Sequence, residues 1–572
     1  MSLAESTPRA GFALRLEQGR GRLVLGPRGV GDLFTVDRLE LALRSVPARL
    51  DLSAGVDRFR HHRGEVEVLQ LHADDHDVGR WLRARAGERV FQDLELHASD
   101  GDLVVVGAVR GPRPAPFLLR ARLAPASVAG DRAVLVSVYE ARIYTPCAMT
   151  APAVAREVLV AIGLEDALIG PTVAVLDPID HLLFEVCAEL GWKVPGRDEL
   201  RLSDIGASGG QVRLSAGRKA TRRLGPQGLA GIIEDGGARG RRFLADYEAK
   251  SLFQAIEALV AEGHHERAIR AYERQLDLHP DHPFVSGRLM QLYGADPHAG
   301  ADAMALARAR LNQADDDPDG LATLAVVQAR RGVAGEAADS LARLARSAER
   351  QGESAEAAQA LWARAVVLAP EDPRGAIAAL EGALALRRRL PGALRALSDL
   401  YGRVGDWAAA LHTRERLLAG EAEPSRRRAL LLELGALALN EAGAIEAAAA
   451  YFEQVLADQP DDIAALDGLA RAHQQAGRLL PAVRSLDRAT HILQQRGDAE
   501  GAAARMVQLG QLWRAVPDEG HATAALRFRQ ALTLVPGHVD ALLGLADAAE
   551  AGGDAGRARA HLEEALRATE GR

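Results

Sequence analysis

The stretch AALDGLARAHQQAGRLLPAVRSLDRA, residues 464–489, decides the fold of more than half of this chain of 572 residues. Apolar side chains recur in it at three- and four-residue spacing, at Leu466 and Leu469 and again, beyond Gly477, from Ala482 onward. Such spacing places them on one face of a helix. Glycine between the two runs allows a tight turn. The stretch therefore predicts two short amphipathic helices joined by a turn.

The same pattern returns along residues 250–572, with a period of about 34 residues and about nine copies. The last copy carries Leu542 and Leu545 before Gly553, and Ala558 after it. Several copies are degenerate, but the alternation of small and large residues stays in register. The second half of the chain is therefore predicted to be an array of helix pairs.

This pattern resembles the tetratricopeptide repeat. Small residues such as Ala482 and Ala558 let two antiparallel helices approach closely, and prolines such as Pro460 and Pro536 end the second helix of a pair. The resemblance implies an all-α superhelical solenoid with a groove, which such proteins commonly use to bind peptides or partner proteins.

The resemblance also implies which residues line the groove, namely the polar positions of each first helix. Carried over by register, these positions are Glu257, Arg395, Asp399, Asp467, Arg471, Gln474, Asp540, Asp547 and Glu550. Solvated helix faces carry the same residue types, so that alternative stays open. The set lacks the lysine and asparagine clamp with which some family members hold a C-terminal carboxylate, which argues against a receptor for chaperone tails.

Residues 1–200 have a different character and predict an α+β domain. Their strand-like segments, rich in β-branched and aliphatic residues, are expected to pair as antiparallel hairpins in a curved sheet. In one segment Phe117 and Leu119 share a face while Arg120 and Arg122 point the other way. The predicted strands cover residues 12–18, 33–43, 65–73, 90–99, 102–110, 116–125 and 132–144.

Between two of these strands, LHADDHDVGRWLRARAG, residues 71–87, looks at first like a metal site. Apolar residues at helical spacing predict instead an amphipathic helix over residues 76–86. Asp74 or Asp75 would cap it, and Asp77 would lie in its first turn, where negative charge is favoured. Metal ligands have to converge from several segments, so we predict no metal here.

Strand, short helix and a meander of long strands together resemble the bacterial branch of the tubular lipid-binding (TULIP-like) superfamily. In that family a curved sheet wraps a long helix around an apolar tunnel. The resemblance implies that Phe117, Leu119, Val134 and Val136 line a cavity for an acyl chain. The alternative is that the four residues fill an ordinary core.

Three further segments complete the N-terminal half. Residues 151–162 and 177–195 predict amphipathic helices, and Cys187 in the second of them is expected to be a buried structural thiol. Residues 201–249 are rich in glycine and arginine and are interpreted as a connector. Glycine-rich runs at residues 19–34 and 205–211 lack the context of a phosphate loop or a hydrolase elbow.

Composition limits the function classes. A net charge of −8 gives no reason to expect nucleic acid binding. Two cysteines fit a reducing compartment, and neither a secretory signal nor a membrane-spanning run is recognised. With its arginine bias, the chain is expected to be a cytoplasmic bacterial protein.

Together these features predict a non-enzymatic scaffold or adaptor without a cofactor. It would bind one or more proteins through the repeat groove and use the N-terminal domain as a second binding module. The alternative is a protein that binds a lipid or another apolar ligand, with the repeats as a targeting module. The identity of the partner and the oligomeric state are left open by the sequence.

Overall fold

The computed structural model describes most of the chain in segments. These are residues 12–17, 20–30, 33–43, 64–86, 90–99, 101–126, 133–189, 193, 200–218, 250–278, 283–296, 298–388, 390–421, 423–515 and 520–570. The chain divides into two compact units, Met1–Ala393 and Leu394–Arg572, which are described separately.

The strands of the first unit form two antiparallel sheets. The first has the order β1-β2-β4-β5-β13-β12, with β3 paired to β4. It comprises β1 (Phe12–Glu17), β2 (Arg20–Leu25), β3 (Arg28–Val30), β4 (Phe34–Leu43), β5 (Gly64–Asp74), β12 (Arg201–Ser208) and β13 (Gln211–Gly217). The second has the order β10-β11-β9-β8-β7-β6. It comprises β6 (Phe91–Ser99), β7 (Asp102–Val109), β8 (Ala115–Ala126), β9 (Ala133–Ile143), β10 (Leu168–Gly170) and β11 (Val173–Leu176).

One apolar core joins the two sheets. Leu39 and Leu69 of the first sheet and Phe117 of the second belong to it, because alternate side chains of each strand point to the same face. Three helices also border the sheets, α1 (Asp75–Ala86), α2 (Ala151–Ala161) and α3 (Ile179–Glu189). Val154 of α2 and Leu183 of α3 enter the same core. The antiparallel strands and the three helices predicted from the sequence are confirmed, but they build two sheets where one was expected.

The first sheet extends beyond residue 200, into the segment interpreted as a connector. There β12 and β13 form a hairpin, and Leu214 of β13 lies opposite Leu71 of β5. The turn is made by Gly209 and Gly210, both with positive φ, a conformation in which other residues are strained. Residues 201–217 are therefore part of the β-rich domain, and the remainder of the predicted connector, residues 219–249, lies outside the described residues.

From residue 250 the described chain is helical. The helices are α4 (Lys250–Ala261), α5 (His265–Leu278), α6 (Pro283–Ala295), α7 (Gly300–Gln313), α8 (Pro318–Arg330), α9 (Ala334–Arg350), α10 (Ser354–Leu368), α11 (Pro373–Leu386), α12 (Pro391–Arg403), α13 (Trp407–Gly420), α14 (Pro424–Asn440), α15 (Ile445–Asp458), α16 (Ile463–Gln475), α17 (Leu479–Gln495), α18 (Ala499–Arg514), α19 (Gly520–Leu534), α20 (Val539–Ala551) and α21 (Ala555–Glu570). Even-numbered helices from α4 are the first helices of the pairs. The predicted fold class, an α+β domain followed by a solenoid of tetratricopeptide type, is confirmed.

Local sequence signals set the ends of these helices. Asp317, Asp462 and Asp498 precede first helices, and each carboxylate accepts a hydrogen bond from a backbone N–H in the first turn, at 2.8 to 3.0 Å. Such caps satisfy N–H groups that have no partner inside the helix. Gly477 and Gly553 adopt positive φ in the turns between paired helices, as the repeat pattern predicts.

Glycines inside the first helices serve a second purpose. The ring of Phe452, on the second helix α15, lies against Gly435 of α14 and Gly468 of α16. A Cβ atom at Gly435 would come within 2.6 Å of that ring, and one at Gly468 would overlap it. Phe528 of α19 has the same relation to Gly510 and Gly544. These glycines let an aromatic side chain fill the space between three helices.

Candidate functional site: the faces of the first helices

In the first unit, the exposed face that the repeat pattern predicts is covered by the protein's own sheet. Val104, Val106 and Leu118, on β7 and β8, share an apolar cluster with Leu321 and Ala325 of α8. Ala360 and Ala363 of α10 complete that cluster. The first helices α8 and α10 thus pack against the face of the second sheet that points away from the β-rich core.

A buried cluster of ion pairs joins the second sheet to helices α8 and α10. Arg120 of β8 is 2% exposed, and its guanidinium lies 3.3 Å from Glu140 of β9. It also lies 2.8 Å from Glu353 and 3.4 Å from Glu356, at the start of α10. The arginine predicted to point away from the β-rich core therefore points into the helical array.

Arg142 of β9 holds the centre of the same cluster. Its Nε donates to Asp319 of α8 at 2.8 Å and its Nη1 to Glu356 of α10 at 2.6 Å, and it also pairs with Glu140. Burial alone lowers the pKa of Arg142, but Glu140, Glu356 and Asp319 outweigh burial and hold the pKa well above its ordinary value. A charge at this depth is stable only while its partners remain in place.

Beside this cluster lies a pocket with an empty volume of about 510 Å³, open mouth included. One wall comes from the chain between β9 and α2, with Thr145, Cys147 and Met149. Helices α6 and α8 also line it, with Met290 and Arg330 among their residues. The pocket is therefore built jointly by the β-rich domain and the first helices of the second and third pairs.

Glu257, the first of the predicted groove residues, is buried inside the first helix pair. It is 1% exposed, accepts a hydrogen bond from the Tyr272 hydroxyl and lies 3.2 Å from the Arg288 guanidinium. Because neighbouring helices occupy its carboxylate, Glu257 is an internal acceptor of the array, and its assignment to an open groove is corrected.

The second unit carries the other predicted groove residues, and all of them except the partly buried Asp467 are exposed. Arg395 and Asp399 project from α12, and Asp399 pairs with Arg414 at 3.1 Å. On α16, Arg471 and Gln474 are exposed. Arg395 and Asp399 lie four positions apart on one face of α12, and Arg471 and Gln474 lie three positions apart on one face of α16.

Two of the predicted aspartates link neighbouring first helices within this unit. Asp467 of α16 pairs with Arg505 of α18, and Asp547 of α20 pairs with Arg514 of α18 at 2.7 Å. Asp540 and Glu550 of α20 are exposed. Asp467 and Asp547 therefore connect successive repeats, a role that the repeat register did not indicate.

The four residues assigned to a lipid tunnel lie in the core between the two sheets. Phe117, Leu119, Val134 and Val136 are all buried and belong to the same apolar cluster. Phe117 packs at a tilt against Phe91, with ring centroids 5.6 Å apart.

The histidines and aspartates before α1 are distributed among neighbouring strands. His72 Nδ1 lies 2.9 Å from the Asp37 carboxylate, Asp74 accepts from Gln211 at 3.0 Å, and Asp75 accepts from the backbone N–H of Ala98 at 3.3 Å. The predicted helix is confirmed, with Asp77 in its first turn as expected, and Asp75 and Asp74 also tie its start to β6 and β13. Within the described residues, no three histidine, cysteine, aspartate or glutamate side chains are grouped so as to hold a metal ion.

Sequence reasoning missed the cluster around Arg120 and Arg142, because its partners come from helices about 200 positions away. One signal was present. The unbroken apolar run from Leu103 to Val106 indicates a strand covered on both faces, since a strand with one face in water alternates apolar and polar residues.

No protein-family model and no curated protein sequence matches this chain. Among solved structures, BtubC from P. vanneervenii is 20% identical, covering 40% of this chain and 91% of its own, with a TM-score of 0.27. PilF of Pseudomonas aeruginosa is 16% identical over 39% of this chain and 96% of its own, with a TM-score of 0.28. Yeast Tom70 is 13% identical over 59% of this chain and 82% of its own, with a TM-score of 0.25. None of these values is high enough to indicate a shared partner or activity. None of the described helices combines the length and apolar character that a membrane crossing needs.

Proposed function

We propose that this protein is a non-enzymatic scaffold or adaptor, acting in the cytoplasm, that binds a protein partner through the first helices of residues 394–572. One observation carries the proposal. In that unit the predicted groove residues Arg395, Arg471, Gln474, Asp540 and Glu550 are exposed. In the other unit, by contrast, the first helices α8 and α10 are covered by the second sheet.

Exposed polar residues at helical spacing, held on a rigid array, suit an extended polypeptide. The ion pairs of Asp467 with Arg505 and of Asp547 with Arg514 connect successive first helices, and glycine–aromatic packing such as that of Phe528 against Gly510 and Gly544 holds these helices together. A preorganised surface loses less conformational entropy on binding than a flexible one, which favours recognition of a segment that orders as it binds. No bond chemistry is needed for this role.

The test compares two double variants of the full chain. Arg471→Ala with Gln474→Ala removes two exposed side chains from the first helix α16. Arg484→Ala with Gln494→Ala removes the same residue types from exposed positions of the second helix α17. Proteins captured on each immobilised variant are quantified by mass spectrometry.

A partner that is captured by wild type and by the α17 variant, but is reduced at least several-fold by the α16 variant, supports the proposal. Equal capture by all three forms contradicts it. Circular dichroism spectra that match wild type establish that the helices remain intact in both variants.

The alternative, an apolar ligand held by the β-rich domain, rests on Phe117, Leu119, Val134 and Val136. Native mass spectrometry of the purified chain, followed by organic extraction, tests it. A bound lipid that is lost in the Leu119→Gln variant would favour this second function. Folded wild-type protein without bound lipid would contradict it.

A further inference from the structure

We propose that the pocket between β9 and helices α6 and α8 binds a small monocarboxylate with a short apolar chain. Arg330 would pair with the carboxylate. This site is separate from the exposed first helices of residues 394–572 and from the core between the two sheets. It therefore goes beyond the proposed scaffold function.

Arg330 is the cation that requires a partner. It lines the pocket and is half-buried, and one of its N–H groups donates to the backbone carbonyl of Gly294. Among the described residues, no carboxylate lies within ion-pair distance of it. Burial lowers the pKa of its guanidinium, and the more distant Asp296 offsets this only in part. A half-buried cation without a counter-ion is unfavourable, and a bound anion relieves it.

A hydroxyl group in the same pocket also lacks a partner. Thr145 is 3% exposed, and its Oγ1 has no hydrogen-bond partner among the described residues. A buried hydroxyl without a partner carries an energetic cost, which a ligand oxygen in the pocket would remove. Thr145 and Arg330 line the same pocket, and the proposed ligand would contact both.

The other lining residues indicate which chemical groups the ligand carries besides its carboxylate. Ile143, Met149, Met290 and Val326 are apolar and suit an alkyl chain, and methionine adapts to its shape. The two other charged side chains of the lining, Arg142 and Asp319, pair with each other at 2.8 Å, so Arg330 is left to balance a single negative charge on the ligand. A monoanion with a short alkyl chain satisfies both halves of the lining.

The test uses hexanoate as the probe, with 1-hexanol as its neutral counterpart. Cys147 lines the same pocket and is half-buried, so its alkylation by iodoacetamide reports occupancy directly. We expect saturating hexanoate to slow alkylation of Cys147 at least five-fold and to raise the unfolding midpoint by about 2–4 °C. Hexanol should do neither.

Arg330→Gln should abolish both effects of hexanoate, whereas Arg330→Lys should retain part of them. Arg331→Gln is the matched control, because the neighbouring Arg331 is exposed and does not line the pocket. Wild-type Cys147 that reacts at the same rate with and without hexanoate would overturn the proposal, as would equal protection in Arg330→Gln. A tripeptide ending in leucine, free or amidated at its C-terminus, distinguishes a peptide terminus from a free acid. Protection by the free-ended peptide but not by hexanoate would overturn the assignment to a small acid.

Discussion

Arg142 of β9 donates from Nη1 to Oε1 of Glu356 in α10 at 2.6 Å, although 214 positions separate the two residues. The bond joins a strand of the β-rich domain to a first helix of the repeat array. With Asp319, Glu140 and Arg120 nearby, it ties the described strands of the β-rich domain to α8 and α10, because each buried charge depends on partners from the other part.

Replacing Arg142 by methionine should therefore destabilise the first unit strongly. The change leaves Glu356 and Asp319 buried beside an apolar side chain, and removing one partner of a buried pair typically costs about 3–5 kcal/mol. Urea unfolding followed by tryptophan fluorescence measures the effect, since Trp362 lies buried on α10. Arg156→Met is the control, because Arg156 pairs with Glu157 near the surface, where such a pair contributes about 0–1 kcal/mol. Equal losses for both variants would show that the cluster adds no stability.

Adding one methyl group at Gly468 should destabilise the second unit. Its Cβ would overlap the Phe452 ring, and overpacking of this kind costs about 1–3 kcal/mol. Gly420→Ala makes the same chemical change at the end of α13, where nothing lies within 4 Å of the new atom. That variant should be neutral or slightly stabilising, because alanine is the better helix former. Thermal denaturation compares the two, and a harmless Gly468→Ala would mean that the repeats are loosely packed.

Alkylation should distinguish the two cysteines. Burial raises the pKa of Cys187 to about 11, and burial also raises the pKa of Cys147. The reactive thiolate is therefore scarce in both at pH 8, and Cys187 is in addition closed off within the core. Peptide mapping after brief exposure of native protein to iodoacetamide should find label on Cys147 and almost none on Cys187. Prompt labelling of Cys187 would contradict its role as a structural thiol.

Acid should weaken the second unit through His473. Burial, together with the nearby Arg478, lowers the pKa of His473 below its ordinary 6.5. Its unfolded form then binds a proton more readily than its folded form. The stability that this difference contributes is therefore present above about pH 6.5 and is lost as the pH falls below it. His473→Gln should flatten the change in urea midpoint between pH 7.5 and 5.5, whereas His491→Gln, at an exposed position of α17, should leave it unchanged. An unaltered pH response in His473→Gln would assign the acid sensitivity to other groups.

Much of the fold could be predicted because its signals are local. Helical spacing at Leu466 and Leu469, and the glycine turn at Gly477, depend on neighbours a few positions away. The strand that carries Phe117 and Leu119 is recognised in the same way. The pocket could not be predicted so well, since Thr145 and Arg330 come to line it only after two distant segments pack together.

By itself, the sequence determined the class of each half of the chain, the paired helices after residue 250 and the strands before it, because periodicity and turn residues act over short distances. Only the tertiary structure decided which faces of those elements remain exposed. It sorted the strands into two sheets, buried Arg120 and Arg142 against α8 and α10, and left Arg471 and Gln474 exposed on α16. The physical reason is that a polar side chain can be satisfied by water or by a distant counter-charge. The residues next to it in the sequence follow the same pattern in both cases.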